Sequence, residues 1–207
     1  MLHAIALTAS LSLASGVGPS TLVDTLGPVK KGEPMPTFAG WTLDGKMLSL
    51  NRVVQGEKDE AKAPVVVTFF ATWCKPCEHG LPILDRVARE KGAKLVLVAY
   101  GQEADVVRPF LAEKGIARTT ILDPYLKVSS RSGVDDALPR TFVLDEKGVV
   151  RAIFTLEGDD FETALAAAVD GAKGPAKGAP VVEAAPTTAP DKRPPPSKRP
   201  AKKGGAR

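Results

Sequence analysis

The chain has 207 residues, 43% hydrophobic and 25% charged, with 2 Cys, 19 Gly and 18 Pro, which is enough for one sizeable core. Two cysteines cannot build a disulfide scaffold or close a four-thiolate zinc or iron–sulfur site, so a small stapled fold and a zinc ribbon are excluded. The net charge of +4 is uneven: residues 171–207 carry a net +7 and residues 1–170 a net −3, so the basic bias belongs to the tail.

Residues 1–23 hold no Lys, Arg, Asp or Glu, and Leu2 to Leu13 is an apolar run with interspersed Ser and Thr, followed by the small residues Ala14, Ser15 and Gly16. The pattern predicts a secretory signal peptide and a periplasmic or otherwise exported protein, with only His3 where a basic n-region is usual. The alternatives are an uncleaved anchor or a disordered N-terminus, and a segment that is no signal leaves the protein cytoplasmic.

A single domain is expected over residues 32–170. Phe38 to Leu50 reads as two short alternating runs around Asp44 and Gly45, a hairpin. Val65 to Ala71 (VVVTFFA) is a continuous apolar run suited to a strand buried on both faces. Residues 76–91 have helical spacing, with Leu81, Leu84, Val87 and Ala88 on one side. Leu95 to Tyr100 is a second buried strand, Ala104 to Lys114 an amphipathic helix, Thr119 to Leu122 a short strand and Tyr125 to Ser130 a helical turn. Thr141 to Asp145 and Val149 to Leu156 flank a second hairpin turn. Phe161, Leu165, Ala168 and Val169 line a last helix. Strands alternating with helices and ending in an antiparallel hairpin predict an α/β fold, a mixed central sheet with helices on both faces. Residues 171–207, with eight Pro and no aromatic residue, are expected to be a disordered basic tail rich in Pro, Ala, Gly and Lys. The tail is either a solvated segment or a weak contact for an anionic surface.

The chemistry centres on Trp73-Cys74-Lys75-Pro76-Cys77, where a buried strand ends and a helix begins. Cysteines three apart across a helix start lie close enough to bridge. The free N–H groups and positive dipole end of the helix favour a thiolate on the first of them. Cys74 is then the nucleophile, and Cys77, one turn inside, the resolving thiol. Pro76 fits the first turn, where its missing N–H leaves no bond unmade, and Lys75 adds a positive charge beside Cys74. A structural disulfide closing so short a loop would constrain little chain entropy. A metal site would need more ligands than Glu78 and His79 supply, and His79 reads as a surface residue. No metal and no cofactor beyond the redox-active Cys74–Cys77 pair is expected.

These residues resemble the thioredoxin superfamily and, within it, the TlpA/ResA-like thiol–disulfide oxidoreductases, over nearly all of residues 32–170. Gly32 to Phe38 (GEPMPTF) and the Asp44-Gly45-Lys46 turn look like that family's N-terminal hairpin, and VVVTFFATWCKPC like its active-site strand. Pro82 sits where the family's first helix is kinked, and Leu122-Asp123-Pro124 resembles the end of its insertion. Leu138-Pro139-Arg140-Thr141-Phe142 resembles the cis-proline segment. By this resemblance the Leu138–Pro139 bond is cis, and substrate is bound beside the disulfide by Trp73, Leu138 and Pro139; from the residues alone a trans, strand-opening proline fits equally. Two departures stand out. Thr68 occupies the place of the buried acid of minimal thioredoxins, where it either tunes the site through water or a thiol or is a plain strand residue. Gly80 replaces a Glu of some ResA-like members. Glu78 is expected to face solvent and is not assigned as a base.

The resemblance implies a monomeric enzyme that reduces protein disulfides through mixed disulfides, fed by a membrane or soluble thiol donor, with no nucleic-acid partner. Two alternatives compete. A peroxiredoxin-like peroxide reductase needs Thr or Ser three residues before its Cys and a Pro further upstream, where this chain has Ala71 and Val67. A metallochaperone or non-catalytic binding module would have only His3 and His79 as imidazole ligands.

Overall fold

The computed structural model describes residues 28–56, 61–155 and 158–174. The signal-like segment 1–23 and all but four residues of the tail expected at 171–207 lie outside the described residues.

The first hairpin forms where expected, from β1 (Ala39–Trp41) and β2 (Met47–Ser49), with Trp41 opposite Met47. Gly45 turns the chain at φ +72°, a conformation open to glycine. Leu50, expected to end the second strand, instead begins helix α1 (Leu50–Gln55). The Ser49 hydroxyl accepts the Arg52 N–H at 3.3 Å, and Gly56 ends the helix at φ +73°. These caps and the burial of Leu50 and Val54 hold a helix too short to stand alone.

Five further strands make the main sheet: β3 (Val65–Phe70), β4 (Lys94–Tyr100), β5 (Thr119–Asp123), β6 (Arg140–Leu144) and β7 (Val150–Phe154). Their order is β5-β4-β3-β6-β7, with β3, β4 and β5 mutually parallel and β6 antiparallel to both of its neighbours, β3 and β7. All six residues of β3 are buried, as its uninterrupted apolar run requires of a central strand. The helices are α2 (Lys75–Glu90), α3 (Ala104–Glu113), α4 (Lys127–Arg131) and α5 (Phe161–Ala172). The pleat of β3 divides the core. Val66 and Phe70 join Leu81 and Leu84 of α2, Leu111 of α3 and Leu165 of α5. Val67 and Phe69 join Met35, Phe38, Leu50 and Val128 on the opposite face. The expected mixed sheet with helices on both faces and an N-terminal hairpin is therefore what the chain builds.

Residues 32–49 reach both ends of the strand order. Gly32 donates to the Val150 carbonyl at 2.8 Å and Val150 to that of Glu33 at 2.9 Å, beside β7. Leu43 donates to the Thr120 carbonyl at 2.8 Å, and Thr42 bridges Ile121 on β5. The hairpin lies so close there that a Cβ on Gly40 would stand 2.5 Å from Ile121 Cγ2, which requires glycine. At the other terminus α5 runs two residues past Asp170, and Ala172 is buried in the core.

Candidate active site

Strand β3 delivers the chain into the loop Ala71 to Cys74, and α2 carries it away. Cys74 is the N-cap of α2, in extended conformation, and its sulfur accepts the Cys77 N–H at 3.2 Å. One of the helix's orphan donors is thus aimed at the sulfur that the sequence marks as the nucleophile. Cys74 and Cys77 are joined in a disulfide with Cα atoms 5.3 Å apart. Cys74 is 5% exposed and Cys77 1%, so the order of burial is as expected, but the outer cysteine is itself nearly covered in the oxidised state. Trp73 beside it is exposed, and Pro76 lies in the first turn of α2.

The charged groups of this turn are paired. Lys75 Nζ lies 3.1 Å from Glu78, and Lys114 Nζ of the segment after α3 lies 2.6 Å from the other oxygen of the same carboxylate. Glu78 is therefore half-buried in a double ion pair, where the sequence suggested a solvent-facing side chain. Hydrogen bonds from Lys114 and Lys75 hold its carboxyl down at a pKa of about 2, so at neutral pH it has no proton to give. The Lys75 charge is balanced by Glu78 and does not act on Cys74 alone. Lys114 also stands 5.8 Å from the Phe110 ring centroid, and Phe110 stacks on Phe70 at the end of β3.

Thr68 is fully buried, and its hydroxyl lies 2.7 Å from that of Thr141, its partner directly across on β6. The hydroxyl partner of Thr68 is thus Thr141, across the sheet. The Leu138–Pro139 bond is cis. Arg140 opens β6 opposite Phe69; one residue beyond that pair stand Phe70 and the buried Pro139, at the end of β3 from which Trp73 and Cys74 emerge. Leu138 packs against the edges of both core clusters. The sheet thus gathers Trp73, Cys74, Cys77, Leu138 and Pro139 at one end.

Gln102, which sequence reasoning passed over, is also at this end. Its Oε1 accepts the Thr72 N–H at 2.8 Å and its Nε2 donates to the Thr72 hydroxyl at 2.7 Å. The available signal was positional: Gln102 follows β4 just as Thr72 follows β3, and loops leaving adjacent parallel strands are neighbours. His79 is exposed, and among the described residues no group of three or more His, Cys, Asp or Glu is placed to hold a metal ion. A cleft of about 430 Å³ lined by Thr37, Phe38, Ser49, Lys127 and Arg131 contains neither cysteine.

A family model described as Redoxin matches residues 30–168. Among curated proteins, the thioredoxin-like protein YneN of Bacillus subtilis is 28% identical over 135 residues, spanning 60% of this chain and 71% of that protein. The thiol–disulfide oxidoreductase ResA of Bacillus thuringiensis is 29% identical over 122 residues, spanning 58% of this chain and 66% of that protein. Among solved structures, a thiol:disulfide interchange protein of the thioredoxin family from Chlorobium tepidum superposes with a TM-score of 0.56 at 24% identity, covering 69% of this chain and 97% of its own. A secreted disulfide oxidoreductase of Mycobacterium tuberculosis superposes with a TM-score of 0.54 at 19% identity, covering 65% of this chain and 95% of its own.

Proposed function

The chain belongs to the Redoxin family and is a thiol–disulfide oxidoreductase of the ResA-like branch of the thioredoxin superfamily, and from that premise we propose that it reduces disulfides in protein substrates, with Cys74 attacking and Cys77 resolving. The observation that carries this reading is the placement of Cys74 as N-cap of α2, its sulfur 3.2 Å from the Cys77 N–H. In the reduced protein the Cys74 thiolate attacks one sulfur of the substrate disulfide. That S–S bond breaks, its other sulfur leaves as a thiolate, and a Cys74–substrate mixed disulfide forms. Cys77 then attacks Cys74, the mixed disulfide breaks, and the substrate departs as a dithiol carrying two electrons. The Cys74–Cys77 disulfide is the oxidised product of that cycle, and a membrane or soluble dithiol donor returns two electrons to it. No cofactor is needed beyond the cysteine pair.

Several features support the details. Pro76 and Lys75 place no imidazole between the cysteines to stabilise a strongly oxidising thiolate, which favours reductase duty. Trp73, Leu138 and Pro139 share the end of the sheet with Cys74 and supply the surface for an extended substrate segment. The uncharged apolar stretch of residues 1–23 and the secreted status of the similar mycobacterial protein favour work in an exported compartment. The deciding measurement is the reduction potential of the Cys74/Cys77 couple by equilibration with glutathione. A value near about −270 mV, the thioredoxin range, is expected, and one near about −120 mV would make the protein an oxidant instead.

A further inference from the structure

The loop Ala71 to Cys74 is short, and two of its polar groups go to a single side chain. Thr72 gives its N–H to Oε1 of Gln102 at 2.8 Å, and its hydroxyl accepts from Nε2 of the same carboxamide at 2.7 Å. A neutral side chain offering an acceptor and a donor side by side is a carboxamide, so the match is chemical as well as geometric. Gln102 is itself fixed: it follows Gly101, which takes φ +64° and donates to the Asp123 carbonyl at 3.0 Å, and it immediately precedes Glu103, the N-cap of α3. The amide therefore ties the loop after β3 to a turn anchored on β4 and β5.

Two residues after Thr72, Cys74 must enter α2 with extended backbone so that its sulfur meets the Cys77 N–H at 3.2 Å. A loop free to shift by an ångström would lose that alignment, because hydrogen bonds weaken steeply with angle and distance. We infer that Gln102 is a positioning residue for Cys74: its carboxamide clamp on Thr72 fixes the loop in the one conformation that sets the Cys74 sulfur at the N-terminus of α2. The clamp works without adding charge. A carboxylate at position 102 would hold Thr72 equally well, yet it would put a negative charge beside the nascent thiolate and oppose it. The inference rests on the assignment of Cys74 as the nucleophile.

The test measures, in the reduced full chain, the rate at which iodoacetamide alkylates Cys74 as a function of pH, read by peptide mass spectrometry. It compares wild type, Gln102→Ala, Gln102→Asn, Thr72→Ala and the Gln102→Ala/Thr72→Ala double variant. Gln102→Asn keeps the amide but is one methylene too short to reach both Thr72 groups, so it guards against misfolding of the Ala variant, and far-UV circular dichroism checks each fold. Gln102→Ala and Gln102→Asn are expected to slow alkylation at neutral pH by about three- to ten-fold and to move the pH midpoint upward, the scale of one or two lost hydrogen bonds. The double variant should be no slower than Gln102→Ala, since removing the hydroxyl costs nothing once its partner is gone. A midpoint unchanged in folded Gln102→Ala or Gln102→Asn, or additive losses in the double variant, overturns the clamp while leaving the nucleophile assignment intact. Preferential alkylation of Cys77 in the wild type overturns both.

Discussion

The loop between β3 and α2 and the turn between β6 and β7 are both tight and both held by side chains that accept backbone N–H groups, but they use opposite means. In the loop the organising groups are neutral: the Gln102 amide on Thr72 and the Cys77 N–H on the Cys74 sulfur. In the turn the organiser is a charge. Asp145 accepts the N–H groups of Lys147 at 2.8 Å and Val149 at 2.9 Å on one oxygen, and Arg151 at 2.6 Å on the other. Burial alone pushes the Asp145 carboxyl up, but the N–H groups of Val149 and Lys147 together with Arg151 outweigh it and leave it below the ordinary carboxylate range. Charge gives the turn strength at the cost of acid sensitivity. Around a sulfur that must change ionisation in every cycle, neutral groups hold the backbone without setting a formal charge beside the thiol, and the nearby charges of Lys75, Glu78 and Lys114 are paired among themselves.

The contrast can be broken most completely at the sulfur. Cys74→Ser is expected to abolish reduction of insulin disulfides, whereas Cys77→Ser should accumulate mixed disulfides with substrate on a non-reducing gel. Equal trapping by both would remove the division of labour. A smaller loss is expected in the turn: Asp145→Ala leaves two backbone N–H groups and Arg151 without their acceptor and should cost about 2–3 kcal/mol in denaturant unfolding. The alkylation profile of Cys74 should stay unchanged in that variant, and a shift in it would show that the two regions are coupled.

Acid sharpens the same comparison. Asp145, Asp170 and Glu78 all have depressed carboxyl pKa values in the folded protein, the last at about 2. The stability they contribute is present above the unfolded carboxylate pKa and is lost as pH falls through the folded values. Denaturant midpoints should therefore be flat from neutrality down to about pH 5 and fall progressively toward pH 2. Asp145→Asn should flatten that fall, and an unchanged acid limb would dismiss the turn as its source. The smallest effect expected is at the C-terminus. A chain ending at Gly174 should melt with the full-length protein. One ending at Asp170 removes the buried Ala172 and the Lys173 partner of Asp170 and should lose about 1 kcal/mol. Equal melting of the two would mean the last turn of α5 packs for nothing.

What the sequence disclosed followed from local pattern. The Val65 to Phe70 run, the CxxC at its end and the turn at Asp44 and Gly45 each carry their meaning within a few residues. Helix α1 stayed hidden because Val53 and Val54 favour strand and six residues are too few for a helical period to declare itself; only Ser49 and Gly56 mark its ends. The pairings of Thr68 with Thr141, Thr72 with Gln102 and Glu78 with Lys114 join residues dozens of positions apart. Each needs the strand order β4-β3-β6, or the seating of α3 beside α2, before the partners become neighbours. The cis bond at Pro139 came from resemblance, since a proline before a strand is compatible with either isomer.

One segment, residues 32–49, bonds beside both outer strands of the sheet, β7 through Gly32 and Glu33 and β5 through Thr42 and Leu43. Unpaired outer strands are templates on which other chains add, so at Val150 and at Thr120 and Ile121 this stretch acts as a selvedge that occupies part of each border. It can take its place only after strands made later in synthesis have assembled, since β5 and β7 both follow it in the chain. The residues translated before any strand of the sheet are thus among the last to dock. Until they do, the nascent protein presents two open borders, and damage to this stretch would surface as aggregation during biogenesis, with the chemistry of the cysteines untouched in whatever fraction completes the fold.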